Sequence, residues 1–238
     1  MTTNPPIFSL PGHTRALVVM ILLGLNIAAD VLLIVTGFFF IRNLRQSGDI
    51  EAIAEDDLNI TEALFGFANL AQLLLLIVTG ILFLVWLHRA FSNLAALGET
   101  HTEFSPGWAV GYFFIPFVNL VRPYQAVKEL WLRSKPQAES DFMLRSADST
   151  STVLAWWLVW LASGVASNIA GRMFDRNEEP SLLVTATWVT MAASILSIAA
   201  AALALIVVKT IDARQRAKMD MQAAHPPQPS SDYTAPQL

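Results

Sequence analysis

Five long apolar blocks, separated by charged connections, constrain this chain more than any other feature. They cover 16–41, 63–87, 104–121, 153–171 and 182–208. A helix needs about 20 mainly apolar residues to cross a hydrocarbon core roughly 30 Å thick. Four blocks meet that requirement with few internal charges, so they read as transmembrane helices. Composition agrees: 54% of the 238 residues are hydrophobic and only 14% are charged, against about 25% charged in soluble domains. The expected fold class is all-α. It is a polytopic helical membrane protein with four spans, a fifth short proline-broken segment that is re-entrant or spanning, and an amphipathic interfacial helix.

The first block is not a cleaved signal peptide. Signal h-regions run about 7–15 residues and end at small residues, whereas this run ends Phe38-Phe39-Phe40-Ile41. Residues 1–15 form a short tail and 16–222 the membrane domain, in which 209–222 continue a helical pattern. The proline-rich stretch 223–238 reads as a disordered tail. A net charge of −4 argues against a nucleic-acid partner, which would need a basic face. The absence of cysteine removes disulfides, thiol catalysis and thiolate metal sites.

Block 104–121 carries Pro106, Pro116 and Asn119. Ser105 before Pro106 predicts a helix start, because serine caps and proline tolerates the first turn. Pro116 lacks an N–H and predicts a break near 112–116, with the Asn119 side chain placed to satisfy freed carbonyls. After Arg122 and Pro123, the residues Tyr124, Val127, Leu130 and Trp131 share one helical face. Lys128, Arg133 and Lys135 supply a basic side, as a surface-lying helix over 123–135 requires.

Cytoplasmic loops collect Lys and Arg. With four spans and a re-entrant third block, Arg15, Arg89, Arg122, Lys128, Arg133, Lys135, Arg145, Lys209, Arg214, Arg216 and Lys218 lie inside. Only Arg42, Arg45, Arg172 and Arg176 lie outside. Five spans give the same ratio, because Arg42 and Arg45 exchange with Arg15 and Arg89. Either way the C-terminus is cytoplasmic. The short, broken third block favours four spans, which gather Trp86, Trp108, Trp131, Trp156 and Trp157 at one interface, where indoles sit well.

Asp30 lies near the middle of the first span, with Asn26 one turn earlier and Asn69 and Gln72 facing from the second. A charged Asp at that depth costs about 2.5–3.5 kcal/mol, so a hydrogen-bonded cluster is expected around it. It serves either as an ion or proton site or as a packing cluster. Ser163, Ser167 and Gly171, and Ala193, Ser197 and Ala201, recur at four-residue spacing and predict close helix contact or contact with a second copy. Acidic residues in 43–62 read as a solvated loop, and His88 and Arg89 as a headgroup boundary marker. His88, Glu99, His101 and Glu103 lack metal-site spacing. No hydrolase, metalloprotease or phosphate-loop motif is present, so no catalytic, cofactor or metal residue is assigned and the expected protein is not an enzyme.

The run Trp86-Leu87-His88-Arg89-Ala90-Phe91, then Phe104-Ser105-Pro106-Gly107-Trp108, then Ile115-Pro116-Phe117-Val118-Asn119-Leu120, then Pro123-Tyr124 and Glu129-Leu130-Trp131 is distinctive. It resembles a bacterial membrane-protein family known as domain of unknown function 4328, most specifically over 84–131. The resemblance implies a membrane protein in which Pro116 and Asn119 are hallmarks, and it implies no activity. The leading expectation is a cell-membrane protein whose broken segment and basic helix engage membrane lipids or a cytoplasmic protein partner, with a homo-oligomer also open. The alternative is a small channel or transporter using Asp30 and Asn119 in a polar path.

Overall fold

The computed structural model describes residues 12–46, 55–99, 101–136, 150–174 and 180–224. Helices dominate these residues, and no strand occurs among them. The helices are α1 (Gly12–Gln46), α2 (Glu55–Ala96), α3 (Pro106–Gly111), α4 (Arg122–Arg133), α5 (Ser151–Phe174) and α6 (Pro180–Ala224). Two 3-10 turns, Tyr112–Phe114 and Val118–Leu120, lie between α3 and α4. Each expected span is present and lengthened at both ends. The span over 182–208 and its continuation over 209–222 are one helix. At 1.5 Å per residue α6 is about 67 Å long, more than twice the hydrocarbon thickness.

The helices α1, α2, α5 and α6 are long and apolar enough to cross a membrane. Leu25, Phe38, Phe67, Leu74, Ile81, Val165 and Ile195 point outward from them and are exposed. Soluble monomers rarely expose contiguous apolar patches beyond a few hundred Å². This surface faces lipid, and the chain is a membrane protein.

Helix α1 packs along both α2 and α6, and α5 packs along α6. Phe40 stacks on Phe65 with ring centroids 5.4 Å apart, and Asn26 meets Thr79, so α1 and α2 are antiparallel. His13 meets Asp212 at one end while Gly37 lies against Thr187 and Met191 near the other, so α1 and α6 are antiparallel too. A Cβ at Gly37 would stand 3.2 Å from the Phe65 ring and 3.3 Å from the Thr187 methyl. Glycine there lets three helices close together.

The start of α5 returns to the end of the bundle where α2 finishes: Val153, Trp156 and Trp157 pack with Trp86, Leu87 and Leu94. Segment 104–121 therefore does not cross the membrane, and its longest helix has six residues. The five-span alternative is overturned. Instead, 101–136 folds as a cap over the bundle end that also holds the start of α1 and the last turns of α6. Leu87, Leu94, Val127, Leu130, Val153, Val207, Val208 and Ile211 are fully buried in its core.

Three expectations change. Trp86, Trp131, Trp156 and Trp157 are buried inside the protein rather than anchored among headgroups, and Trp108 alone of the five is exposed. Their large ring areas fill the space where the six helices converge. On α6 the small residues Ala193 and Ala201 are buried as expected, but on α5 Ser163 is buried while Ser167 and Gly171 are exposed. Trp156, Ser163 and Ala170 face inward at seven-residue spacing, the repeat of a shallow left-handed crossing, so the four-residue stripe rotates away from the contact. The acidic loop is shorter than expected, since α2 begins at Glu55. Asp49, Glu51, Arg145, Arg176 and most of the two tails, 1–11 and 225–238, lie outside the described residues, while 12–15 and 223–224 belong to α1 and α6.

Candidate functional site

Two polar regions interrupt the apolar bundle. The first lies at mid-depth. The Asn26 amide donates to the Thr79 hydroxyl at 2.7 Å and to the Leu22 carbonyl at 2.8 Å, and its oxygen accepts from Gln72 at 3.5 Å. The expected meeting of Asn26 and Gln72 is found. Asn69 does not join them; its amide bonds back to the Phe65 carbonyl of its own helix at 2.9 Å. Asp30 turns toward α6, where the Ser194 and Ser197 hydroxyls face its carboxyl. Its Oδ2 is buried without a hydrogen-bond partner, as is Oε1 of Gln72.

The second region is the cap, built by local backbone chemistry. Helix α2 ends at Ala96 and is closed off by Gly98, whose φ of +85° is open to glycine. The Glu99 N–H returns to the Leu94 carbonyl at 3.0 Å and the Gly98 N–H to the Ala95 carbonyl at 3.2 Å, closing the paired bonds that terminate helices in this way. That turn sets Glu99 beside α6. Ser105 caps α3 through the Trp108 N–H, with Pro106 in the first turn, as expected. The helix then tightens and breaks at Ile115 and Pro116. Phe117 takes a φ of 62°, a strained value for a residue with a Cβ.

Asn119 acts differently from expectation. Its backbone N–H, not its side chain, donates to the Ile115 carbonyl at 2.9 Å. The Val118 N–H serves the Pro116 carbonyl at 2.8 Å, and the Trp157 indole serves the Leu120 carbonyl at 2.8 Å. Asn119 is not among the groups around Asp30. His88 and Arg89 are exposed at the end of α2 and join neither region.

An ionic and amide network ties the cap together. Lys218 on α6 donates to Glu99 at 2.6 Å, and Arg133 bridges Glu99 at 3.3 Å and Glu129 at 2.8 Å. Burial alone would raise the Glu99 carboxyl, but Lys218 and Arg133 outweigh it and hold it below its ordinary value. Glu129 also accepts the backbone N–H groups of Glu103 and Phe104 at 2.7 and 3.1 Å, fixing the approach to α3. Gln215 donates to the Ala90 carbonyl and to Ser134, and accepts from Asn93. The Arg214 guanidinium lies 4.6 Å from the Trp131 ring centroid.

The amphipathic helix occurs at Arg122–Arg133, with Pro123 in its first turn. Its apolar face is not laid into lipid as expected. Pro123, Ala126, Val127, Leu130 and Trp131 are buried against the bundle end. The basic stretch over 209–218 is likewise internal in part, since Arg214 and Lys218 are buried. What α4 leaves outward is a groove of about 850 Å³. Arg122, Lys128, Arg133, Glu103 and Glu129 supply its charges, and Val118, Val121 and Leu132 its apolar wall. Arg122 pairs with Glu103 at 3.0 Å, whereas Lys128 lies 5.9 Å above the Tyr124 ring.

Sequence reading missed Asn93, Glu99, Glu129 and Gln215 as partners. The four-residue spacing of Glu129 and Arg133 was a visible signal; nothing local links Asn93 to Gln215. A family model described as Domain of unknown function (DUF4328) matches residues 49–213, well over half of the chain. No curated protein and no solved structure matches it.

Proposed function

We propose a membrane-surface role for this chain, which belongs to the DUF4328 family: its cap holds a phosphate-bearing lipid headgroup in the α4 groove and performs no reaction on it. The observation that carries this reading is the union of a cationic groove with an apolar loop. Phe117 is 85% exposed and Phe114 72% exposed, and the same loop runs through Val118 and Val121 into the groove wall. Inserting one such side chain into acyl chains is worth about 1.5–3 kcal/mol. Arg122, Lys128 and Arg133 outnumber the two carboxylates of the groove, and each cation near an anionic surface adds about 1 kcal/mol.

Charge supports one side of the membrane for the cap. Arg15, Arg89, Arg122, Lys128, Lys135 and Lys209 lie at the cap end, against Arg42, Arg45 and Arg172 at the other. This supports a cytoplasmic cap and C-terminus in the cell membrane.

The test is lipid retention by the purified full chain in nanodiscs mixing phosphatidylglycerol and phosphatidylcholine, read by native mass spectrometry. Phosphatidylglycerol should be retained preferentially, less so at high salt and in Arg122→Gln/Lys128→Gln. Equal retention of both lipids, or capture of a soluble protein by 122–135 without lipid preference, would overturn the reading.

A further inference from the structure

Asp30 is the only ionisable side chain within 16–41, 63–87, 153–171 and 182–208. It is 2% exposed, and its Oδ2 has no hydrogen-bond partner. The groups facing it are neutral. From α6 they are Ser194 and Ser197; from α2, Gln72 and Thr79 reach Asn26, one turn away. Both N–H bonds of the Asn26 amide are already given to Leu22 and Thr79, so it has no donor left for Asp30. The flanking charges on α1 are Arg15 and Arg42, and Arg42 is 12 residues on, or about 18 Å along the axis. On α6 the next charge after Ser197 is Lys209, about 18 Å away by the same rise. On α2 the nearest are Glu62 and His88, at the two ends of the span.

A bare carboxylate in this place would lack both a counter-charge and a donor for one oxygen. One added particle supplies both. A proton on the carboxyl removes the charge, and the acid O–H can then donate to a serine hydroxyl while the orphaned oxygen is left neutral. A metal ion would need a shell of several oxygens, and two hydroxyls face this carboxyl.

We infer that Asp30 is an intramembrane proton-binding site, carried as the neutral acid and hydrogen-bonded across the α1–α6 contact to Ser194 and Ser197. Losing the proton strands a charge between the two helices, so release requires that contact to open and admit water. The site is independent of the cap groove, and neither reading rests on the other.

The experiment is infrared difference spectroscopy of the full chain in phosphatidylcholine nanodiscs across pH. A protonated-carboxyl C=O band is expected at neutral pH, absent in Asp30→Asn and shifted in Ser194→Ala/Ser197→Ala. Asp30→Asn, a neutral near-isostere of the acid, should fold and melt no lower than the parent. Absence of the band from folded parent protein overturns the inference, as does a failure of Asp30→Asn to fold. Loss of the band on adding sodium at constant pH also overturns it, because a metal ion would then be the ligand. A band unmoved by the serine changes overturns the assignment of its partners.

Discussion

The Lys218 ammonium, buried on α6, donates to the Glu99 carboxylate at 2.6 Å across 119 residues of sequence. The pair joins the helix that closes the bundle to the turn that follows α2. Arg133 reaches the same carboxylate from α4, so three elements share one anion.

Glu99→Gln leaves the Lys218 charge buried without its carboxylate, with only neutral acceptors such as the Arg133 carbonyl. A loss of about 1–3 kcal/mol is expected, read as a lower midpoint in a tryptophan-fluorescence melt of the detergent-solubilised chain. Lys218→Met should cost less, because Glu99 keeps Arg133. The double variant should be less destabilised than the sum of the singles; strict additivity would show that the contact does not couple these elements.

Acid should loosen the cap. Glu99 is held below its ordinary value, so its contribution is complete above the unfolded-state value and disappears as pH falls through the lower folded one. Proteolysis within 101–136 is expected to accelerate in that acid range and not at neutral pH. In Glu99→Gln the acid dependence should flatten; an unchanged profile would assign it to other carboxyls.

Gly37→Leu forces a side chain into the meeting of α1, α2 and α6, at an expected cost of about 1–3 kcal/mol. Gly80→Ala, with nothing within 4 Å of the added Cβ, should be neutral or slightly stabilising through helix propensity. Comparable losses at both positions in thermal melts would contradict the packing at Gly37.

Reporter fusions test the crossings. Insertions within 47–54 should report one side, and insertions within 137–149 or after 224 the other. A shared readout from 47–54 and 137–149 is incompatible with four crossings.

The spans were legible because their lengths and apolar runs are local properties, and α1, α2, α5 and α6 begin and end within a few residues of expectation, the long ends of α2 and α6 apart. Ser105, Pro106 and Pro116 were equally legible, because capping and proline chemistry act within one turn. What escaped was partnership. Val127, Leu130 and Trp131 were read correctly as one apolar face, yet their periodicity is the same whether lipid or protein covers them. Lys218 and Arg214 read as cytoplasmic cations on the helical continuation 209–222, but their burial in the cap depends on contacts with residues far away in the chain. Asp30 was placed among Asn26 and Gln72 by depth, but its rotation toward Ser194 and Ser197 depends on how α1 sits between two neighbours.

Helix α6 runs from Pro180 to Ala224 with no glycine and no internal proline, the usual sources of a kink. Ser197 and Lys218 therefore ride on one rod, 21 residues apart, or about 32 Å. Such a rod works as a lever. A rotation that parts Ser197 from Asp30 meets no kink site along the way, so its expected outlet is the Lys218–Glu99 contact and the cap.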